Sequence, residues 1–438
     1  MVSPPLRAVV VGAGSRGYGV YGRWALDHPA DIDIVAVADP DPVRRARFGQ
    51  AHGLPESARY ADVAALVAAR PDAPTAIVAS PDRRHAADAT QLLAAGLDVF
   101  LEKPMAVNLG ELAGLVRAAR SARGRLSVAH VLRYTAYFRA VHDAVTSGRL
   151  GDIVSVVHDE TIAWWHMAHS YVRGNWAVAE LSSPAILAKC SHDLDILAWN
   201  SPSPVTRVAS FGSLRHFRPE AAPPVALTRC TDGCPVDDCA FDARRIYHSP
   251  EAEPWLIEAV VDDPAVPGRL EAALAVGPYG RCVYQAGSDV VDHQVVAMER
   301  ADGTTMTLRF SGHGEAGARS MRYDGTRATL RGSFGQRSSL RIDDRSGASE
   351  EVDFASGSGH GGGDDAIMRA FVAHASTGRA LPTDVDAAIE SHMLAYAAEE
   401  SRLEGRMVDM RDVRARFQDR LVHDDAPRRP DALASTDR

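Results

Sequence analysis

The 438-residue chain has no apolar run of the ~18 residues that a membrane-spanning helix needs. It also has no basic stripe, and its formal net charge is −9, which argues against nucleic acid or an anionic membrane as a partner. Cysteine is scarce: there are five, none before position 190. The first strand-like run begins at residue 6, leaving no room for the basic and apolar regions of a signal peptide. A cytoplasmic protein is therefore expected. What is present is an ordinary globular interior, with 46% apolar residues, in a chain long enough for two domains.

The most informative segment is Gly12-Ala13-Gly14-Ser15-Arg16-Gly17, between the apolar run 6–11 and a helical stretch at 20–28. That context gives a G-x-G-x-x-G loop its meaning. Gly12 permits the tight turn, Gly14 lets backbone approach a pyrophosphate, and Gly17 lets helix pack close to strand. Ser15 and Arg16 complete the loop whose N–H groups face the phosphates at a helix N-terminus. Asp39 ends a second apolar run, 22 residues beyond Gly17, where a carboxylate accepts from a ribose hydroxyl. An acid there favours NAD over NADP, although Arg44 and Arg45 are placed to reach a 2′-phosphate.

Strand patterns at 6–11, 32–38, 75–78, 98–101 and 126–130 alternate with helical patterns at 42–52, 85–95 and 109–122. This is the rhythm of a parallel, doubly wound α/β sheet. After residue 130 it changes. A helix at 136–147 leads into strands at 153–161 and 205–210, separated by a short helix at 192–199. Further strands at 289–299, 304–310, 328–331 and 340–343 are close enough to be antiparallel neighbours. A Pro- and Cys-rich insertion spans about 218–260, helices at 364–375 and 385–404 close the fold, and 423–438 has the composition of a disordered tail.

Together with the glycine loop, Ser80-Pro81-x-x-x-His85, Ala95-Gly96-Leu97-Asp98-Val99-Phe100-Leu101-Glu102-Lys103-Pro104 and Gly148-x-x-Gly151 make the chain resemble the Gfo/Idh/MocA oxidoreductases. The resemblance implies an N-terminal Rossmann domain (1–130). It also implies a C-terminal α+β domain (131–422) with an open, mainly antiparallel sheet. A nicotinamide cofactor is expected, NAD or NADP, with Ser80, Pro81, His85 and Glu102 joining the glycine loop and Asp39 around it. The implied substrates carry adjacent hydroxyls, as sugars, sugar derivatives and cyclitols do. The implied assembly is a homodimer or homotetramer paired through the open sheet.

Oxidising a secondary alcohol needs a base and a cation near the developing alkoxide. Lys103 looks like the family's catalytic lysine, beside a proline expected to hold its backbone extended. His192, in Ser191-His192-Asp193-Leu194-Asp195, looks like its base or hydroxyl-positioning residue. Relatives carry an aspartate four residues before that histidine; here Ala188 stands there, followed by Lys189. The expected pocket thus holds Lys103, Lys189 and His192, suited to an alkoxide or an anionic group, with helix capping as the plainer role of His192. Tyr171, Arg173, Asn175 and Trp176 in the aromatic segment 163–176, with Arg133 and His360, are candidate substrate contacts. The same segment also reads as a packed loop at an oligomer interface, and Asp364 reads as a helix cap.

Cys230, Cys234, Cys239 and Cys282 form a candidate structural zinc site, with free thiols an equal reading and disulfides a weaker one. Cys190 reads as a small buried residue. The leading functional expectation is an NAD-dependent dehydrogenase of sugars or cyclitols. The alternative is a glycosidase of the same fold working by transient oxidation and elimination. Retention of Lys103 and His192 counts against a non-catalytic nucleotide sensor.

Overall fold

The computed structural model describes residues 4–423 apart from 262, 356, 358, 379 and 380. The expected tail, from 424 onward, lies outside the described residues. Six strands, β1 (Leu6–Val11), β2 (Ile32–Ala38), β3 (Arg59–Tyr60), β4 (Thr75–Val78), β5 (Asp98–Leu101) and β6 (Leu126–Val128), form a parallel sheet in the order β3-β2-β1-β4-β5-β6. Their β-branched runs are continuous because helices cover both faces. The order reverses between β1 and β4, which opens a crevice beyond the strand ends. Gly12, Asp39 and Ser80 follow β1, β2 and β4 there, while Glu102 and Lys103 follow β5. The expected helix at 20–28 instead begins as π-helical turns, Gly17–Gly22, before Arg23–Asp27.

The second sheet has nine strands: β7 (Ile153–Ala163), β8 (Val205–Ser213), β9 (His293–Arg300), β10 (Thr305–Gly314), β11 (Ala318–Gly325), β12 (Ala328–Phe334), β13 (Ser339–Asp344), β14 (Ser349–Glu351) and β15 (Val408–Asp409). Their order is β14-β13-β12-β11-β7-β10-β9-β8-β15, antiparallel except for the β7–β10 pair. Strand β11 was not expected from the sequence. A third closing helix, Met410–Val422, was also not expected; it packs on the Rossmann helix Leu109–Ser121. The insertion carries short helices at Ala243–His248 and Pro254–Val260, and a further short helix, Arg269–Val276, follows it. No helix among the described residues is long and apolar enough to cross a membrane.

Candidate active site

The glycine loop is built as its spacing demands. A Cβ on Gly12 (φ +90°) would lie 2.5 Å from Ala79 O, and one on Gly17 only 1.8 Å from Gly12 O, whereas one on Gly14 meets nothing within 4 Å. Open space therefore lies over Gly14. The N–H groups of Gly14, Ser15 and Arg16 have no protein acceptor among the described residues. Ser80 Oγ is likewise buried without a partner. Donors without acceptors around a side-chain-free surface fit a dinucleotide pyrophosphate. Asp39 braces this cradle: its Oδ2 accepts from Ala13 N–H at 2.6 Å and its Oδ1 from Asp41 N–H at 2.8 Å. Arg45 turns back onto the carbonyl of Asp39 at 2.6 Å, and Arg44 faces Asp41 at 3.7 Å.

Arg16 points inward rather than toward the open cradle. Its Nε donates to Glu102 Oε1 at 2.5 Å and its Nη2 to Asp364 Oδ1 at 2.9 Å, while the Tyr21 hydroxyl also donates to Glu102. Burial pushes the Glu102 carboxyl up, but Arg16 and Lys103 outweigh it and hold the group below its ordinary range. This cluster ties the glycine loop to the Glu-Lys-Pro segment. The same segment is clamped from two other sides. His85, with its second nitrogen on Ser80 O, meets Pro104 O at 2.7 Å, and Met105 N–H donates to His392 Nε2 at 2.8 Å. Because Nε2 of His392 accepts, its Nδ1 carries the proton and donates to Ala388 O. The Lys103–Pro104 peptide is cis. Pro81 is exposed at the start of the helix Asp82–Ala94.

Lys103 is thereby aimed from the end of β5 toward the short helix Ala185–Ala188. Its Nζ donates to Ala188 O at 2.7 Å, one residue before Lys189 and four before His192. Burial lowers the affinity of this amine for its proton. Glu102 and Asp82 oppose that, Lys189 and Arg16 add to it, and the net shift is downward. His192, only 7% exposed, has a buried Nδ1 with no partner. Burial first, then Lys103 and His130, hold it neutral at ordinary pH, far below its usual value. It lies in the first turn of Ser191–Trp199, where Cys190 occupies the cap position. His360, at φ +45° in a left-handed turn, donates from Nδ1 to Asp364 Oδ2 (2.9 Å) and brings its ring 6.3 Å from His192. Asp364 therefore links His360 to Arg16 rather than capping the helix.

Lys189 faces Glu160 Oε1 at 3.3 Å. Glu160 sits on β7 opposite its register partner Arg319 on β11. Arg319 Nε lies 2.8 Å from both Glu160 Oε2 and Asp193 Oδ1, and His158 Nε2 meets the same Asp193 oxygen at 2.8 Å. Burial raises the Glu160 carboxyl, whereas Arg319 and His158 overcome burial at Asp193 and lower it. Glu160, Arg319 and His158 were not foreseen. His166, from the aromatic segment 163–176, adds a ring that burial first, and then Lys189, hold well below its usual value. His166 lies 5.1 Å from Trp255 of the insertion, and Trp255 lies 6.1 Å from Trp165.

Three expected substrate contacts are committed elsewhere in the fold. Arg133 is buried and bidentate on Asp195 at 2.6 and 2.7 Å. Arg173 is buried against the carbonyls of Arg281 and Phe241, both at 2.7 Å, where it anchors the insertion. The Trp176 indole N–H is committed to Asp82 at 3.0 Å, whereas Asn175 is exposed. Tyr171 is buried with its ring 6.3 Å from His166. The zinc expectation is not supported: among the described residues no group of three or more Cys, His, Asp or Glu is arranged to hold a metal. Cys230, Cys234, Cys239 and Cys282 line one small cavity as free thiols. Arg173 Nη2 reaches Cys230 Sγ at 3.6 Å, and burial raises the thiols of Cys239 and Cys282, favouring the protonated form over a metal-binding thiolate.

Residues 6–130 match the oxidoreductase family, NAD-binding Rossmann fold, and residues 142–410 match that family's C-terminal alpha/beta domain. The chain belongs to the Gfo/Idh/MocA oxidoreductase family. It is 23% identical over 337 residues to a putative oxidoreductase, YteT, of Bacillus subtilis, covering 75% of each protein. It is 30% identical over 197 residues to an inositol 2-dehydrogenase of Burkholderia multivorans, covering 44% of this chain and 54% of that one. The solved structure of an oxidoreductase from Agrobacterium radiobacter, in complex with NAD+, L-tartaric acid and magnesium, shares the fold at a TM-score of 0.65. It is 18% identical, with 93% of this chain and 99% of that one covered. In this Gfo/Idh/MocA oxidoreductase, Asp39 braces the glycine loop through Ala13 N–H. Asp39→Ala is expected to weaken NAD binding about tenfold or more, since one charge-assisted bond is worth ~1.5–3 kcal/mol. Fluorescence titration checks this; unchanged affinity would contradict the role.

Proposed function

We propose that the protein is an NAD-dependent dehydrogenase of a secondary hydroxyl on a sugar, sugar derivative or cyclitol. The observation that carries this reading is the 2.7 Å bond from Lys103 Nζ to Ala188 O. It joins a lysine from the dinucleotide-binding sheet to the turn that presents Lys189 and His192. When bound, NAD supplies the hydride acceptor. Lys103 stabilises the oxygen as negative charge develops, and neutral His192 is in the state to take the hydroxyl proton. The row of His166, Trp255 and Trp165 supports a ring-shaped substrate, whose apolar faces suit aromatic surfaces and whose hydroxyls suit their polar edges. The names of the reported relatives favour a dehydrogenase and lend nothing to the eliminating glycosidase.

Asp39, with no arginine guanidinium directed at its carboxylate, supports NAD over NADP. Five free thiols suit a reducing, cytoplasmic setting. Val157 and the register partners Phe211 and Val295 lie exposed on the outer face of the nine-stranded sheet, which suits self-association as a dimer or tetramer. The test is a screen of sugars, sugar acids and inositols for NADH formation. At least one polyol is expected to reduce NAD; protein that binds NAD yet oxidises none of them would overturn the proposal.

A further inference from the structure

His130 lies two residues beyond the end of β6 and is 1% exposed, and neither ring nitrogen has a hydrogen-bond partner. Buried polar atoms of this kind call for an explanation. Two ring neighbours surround it. His392, 5.8 Å away, has both nitrogens committed, to Met105 N–H and Ala388 O. His192, 6.2 Å away and edge to face at 81°, has its own Nδ1 buried and unpartnered. On the far side, His130 Nδ1 lies 3.8 Å from Asp195 Oδ2, a carboxylate held rigid by bidentate Arg133. Asp195 is three residues from His192 on one helix, hence on the same face.

We propose that His130 is a positioning residue for His192, joining the unpartnered Nδ1 of His192 to the Asp195 carboxylate through a bridging water. This supplies indirectly the carboxylate that Ala188 does not provide. The inference rests on the proposed dehydrogenase reading for its kinetic consequence only. Burial first, then Arg133 and Lys103, keep His130 neutral; Glu102 opposes them, and the Asp195 carboxylate also faces the ring. A neutral ring donates from one nitrogen and accepts at the other. With Nδ1–H directed at Asp195, Nε2 accepts from the His192 side. The Nδ1 of His192 then carries the proton, and its Nε2 is left to accept from a substrate hydroxyl. This is the general arrangement of a base oriented by a third group. A separation of 3.8 Å, beyond a direct hydrogen bond, suits a water-mediated link.

The test uses His130→Phe and His130→Gln in the full-length protein. With His130→Phe, kcat is expected to fall about tenfold to a hundredfold, less than the ~10²–10⁴ of a lost general base because His192 itself remains. KM, NAD affinity and the thermal midpoint stay close to wild type, because an apolar ring replaces an unsatisfied polar one. The acidic limb of the kcat–pH profile moves to lower pH as His192 loses basicity, and His130→Gln recovers part of the rate. Unchanged kcat, a limb moving to higher pH as a mere like charge is relieved, or equal rates for Phe and Gln would each overturn the proposal. Nitrogen-15 histidine spectra of the resting protein provide a readout independent of substrate. His192, assigned with His192→Asn, is expected as a single Nδ1–H tautomer that becomes mixed in His130→Phe. A tautomer unaffected by His130→Phe rejects the inference even if the dehydrogenase reading holds.

Discussion

Replacing Lys103 with methionine is expected to abolish turnover while NAD still binds. The side-chain volume is kept, and the clamps on the loop act through Glu102, Pro104 and Met105 rather than through the amine. What disappears is the cation that the end of β5 delivers to Ala188, four residues before His192. Loss of one preorganised donor to a developing oxyanion costs ~10²–10³ in kcat, and proton-transfer effects add to it. Lys103→Arg is expected to recover little, because a planar fork does not occupy the place of a compact ammonium. NADH formation and NAD titration on the same preparation decide the matter. Activity above about a tenth of wild type, well outside the range for a lost oxyanion donor, would remove Lys103 from the chemistry.

The second large effect is on stability. Arg319→Met is expected to destabilise the fold by ~3–5 kcal/mol, because removing one partner strands buried charges. Arg319 alone faces both Asp193 and Glu160, which are nearly inaccessible to water. Lys189→Met should cost much less, since its ammonium remains one-fifth exposed. Urea unfolding of the two variants checks the ranking. Equal midpoints would show that Arg319 does not carry the network.

The Rossmann half was legible because its strands are unbroken apolar runs and its loop glycines have fixed spacing. Strand β11 was hidden for a physical reason. Its inward residues are Arg319, Met321 and Tyr323, so a charged side chain opens the buried face and masks the alternation. The closing helix Met410–Val422 was masked similarly, with Met410, Val413 and Phe417 buried between arginines and aspartates. At the site, Glu102, Lys103 and His192 could be read from local motifs. Glu160, Arg319 and His158 could not, because they meet only through strand register. One compositional signal was available and overlooked. Of the chain's 48 lysines and arginines, only Lys103 and Lys189 are lysines, and both stand at the candidate site. An otherwise arginine-only chain retains a primary amine where a compact, readily deprotonated cation serves and a guanidinium does not.

The bond between Lys103 Nζ and Ala188 O bears on what happens when a ligand arrives. An ammonium has three N–H vectors; fixing one to a carbonyl leaves the other two with little freedom of direction. A free lysine side chain loses ~2 kcal/mol of rotamer entropy on being fixed. Here that loss is taken during folding, so an incoming hydroxyl meets a donor already pointing the right way.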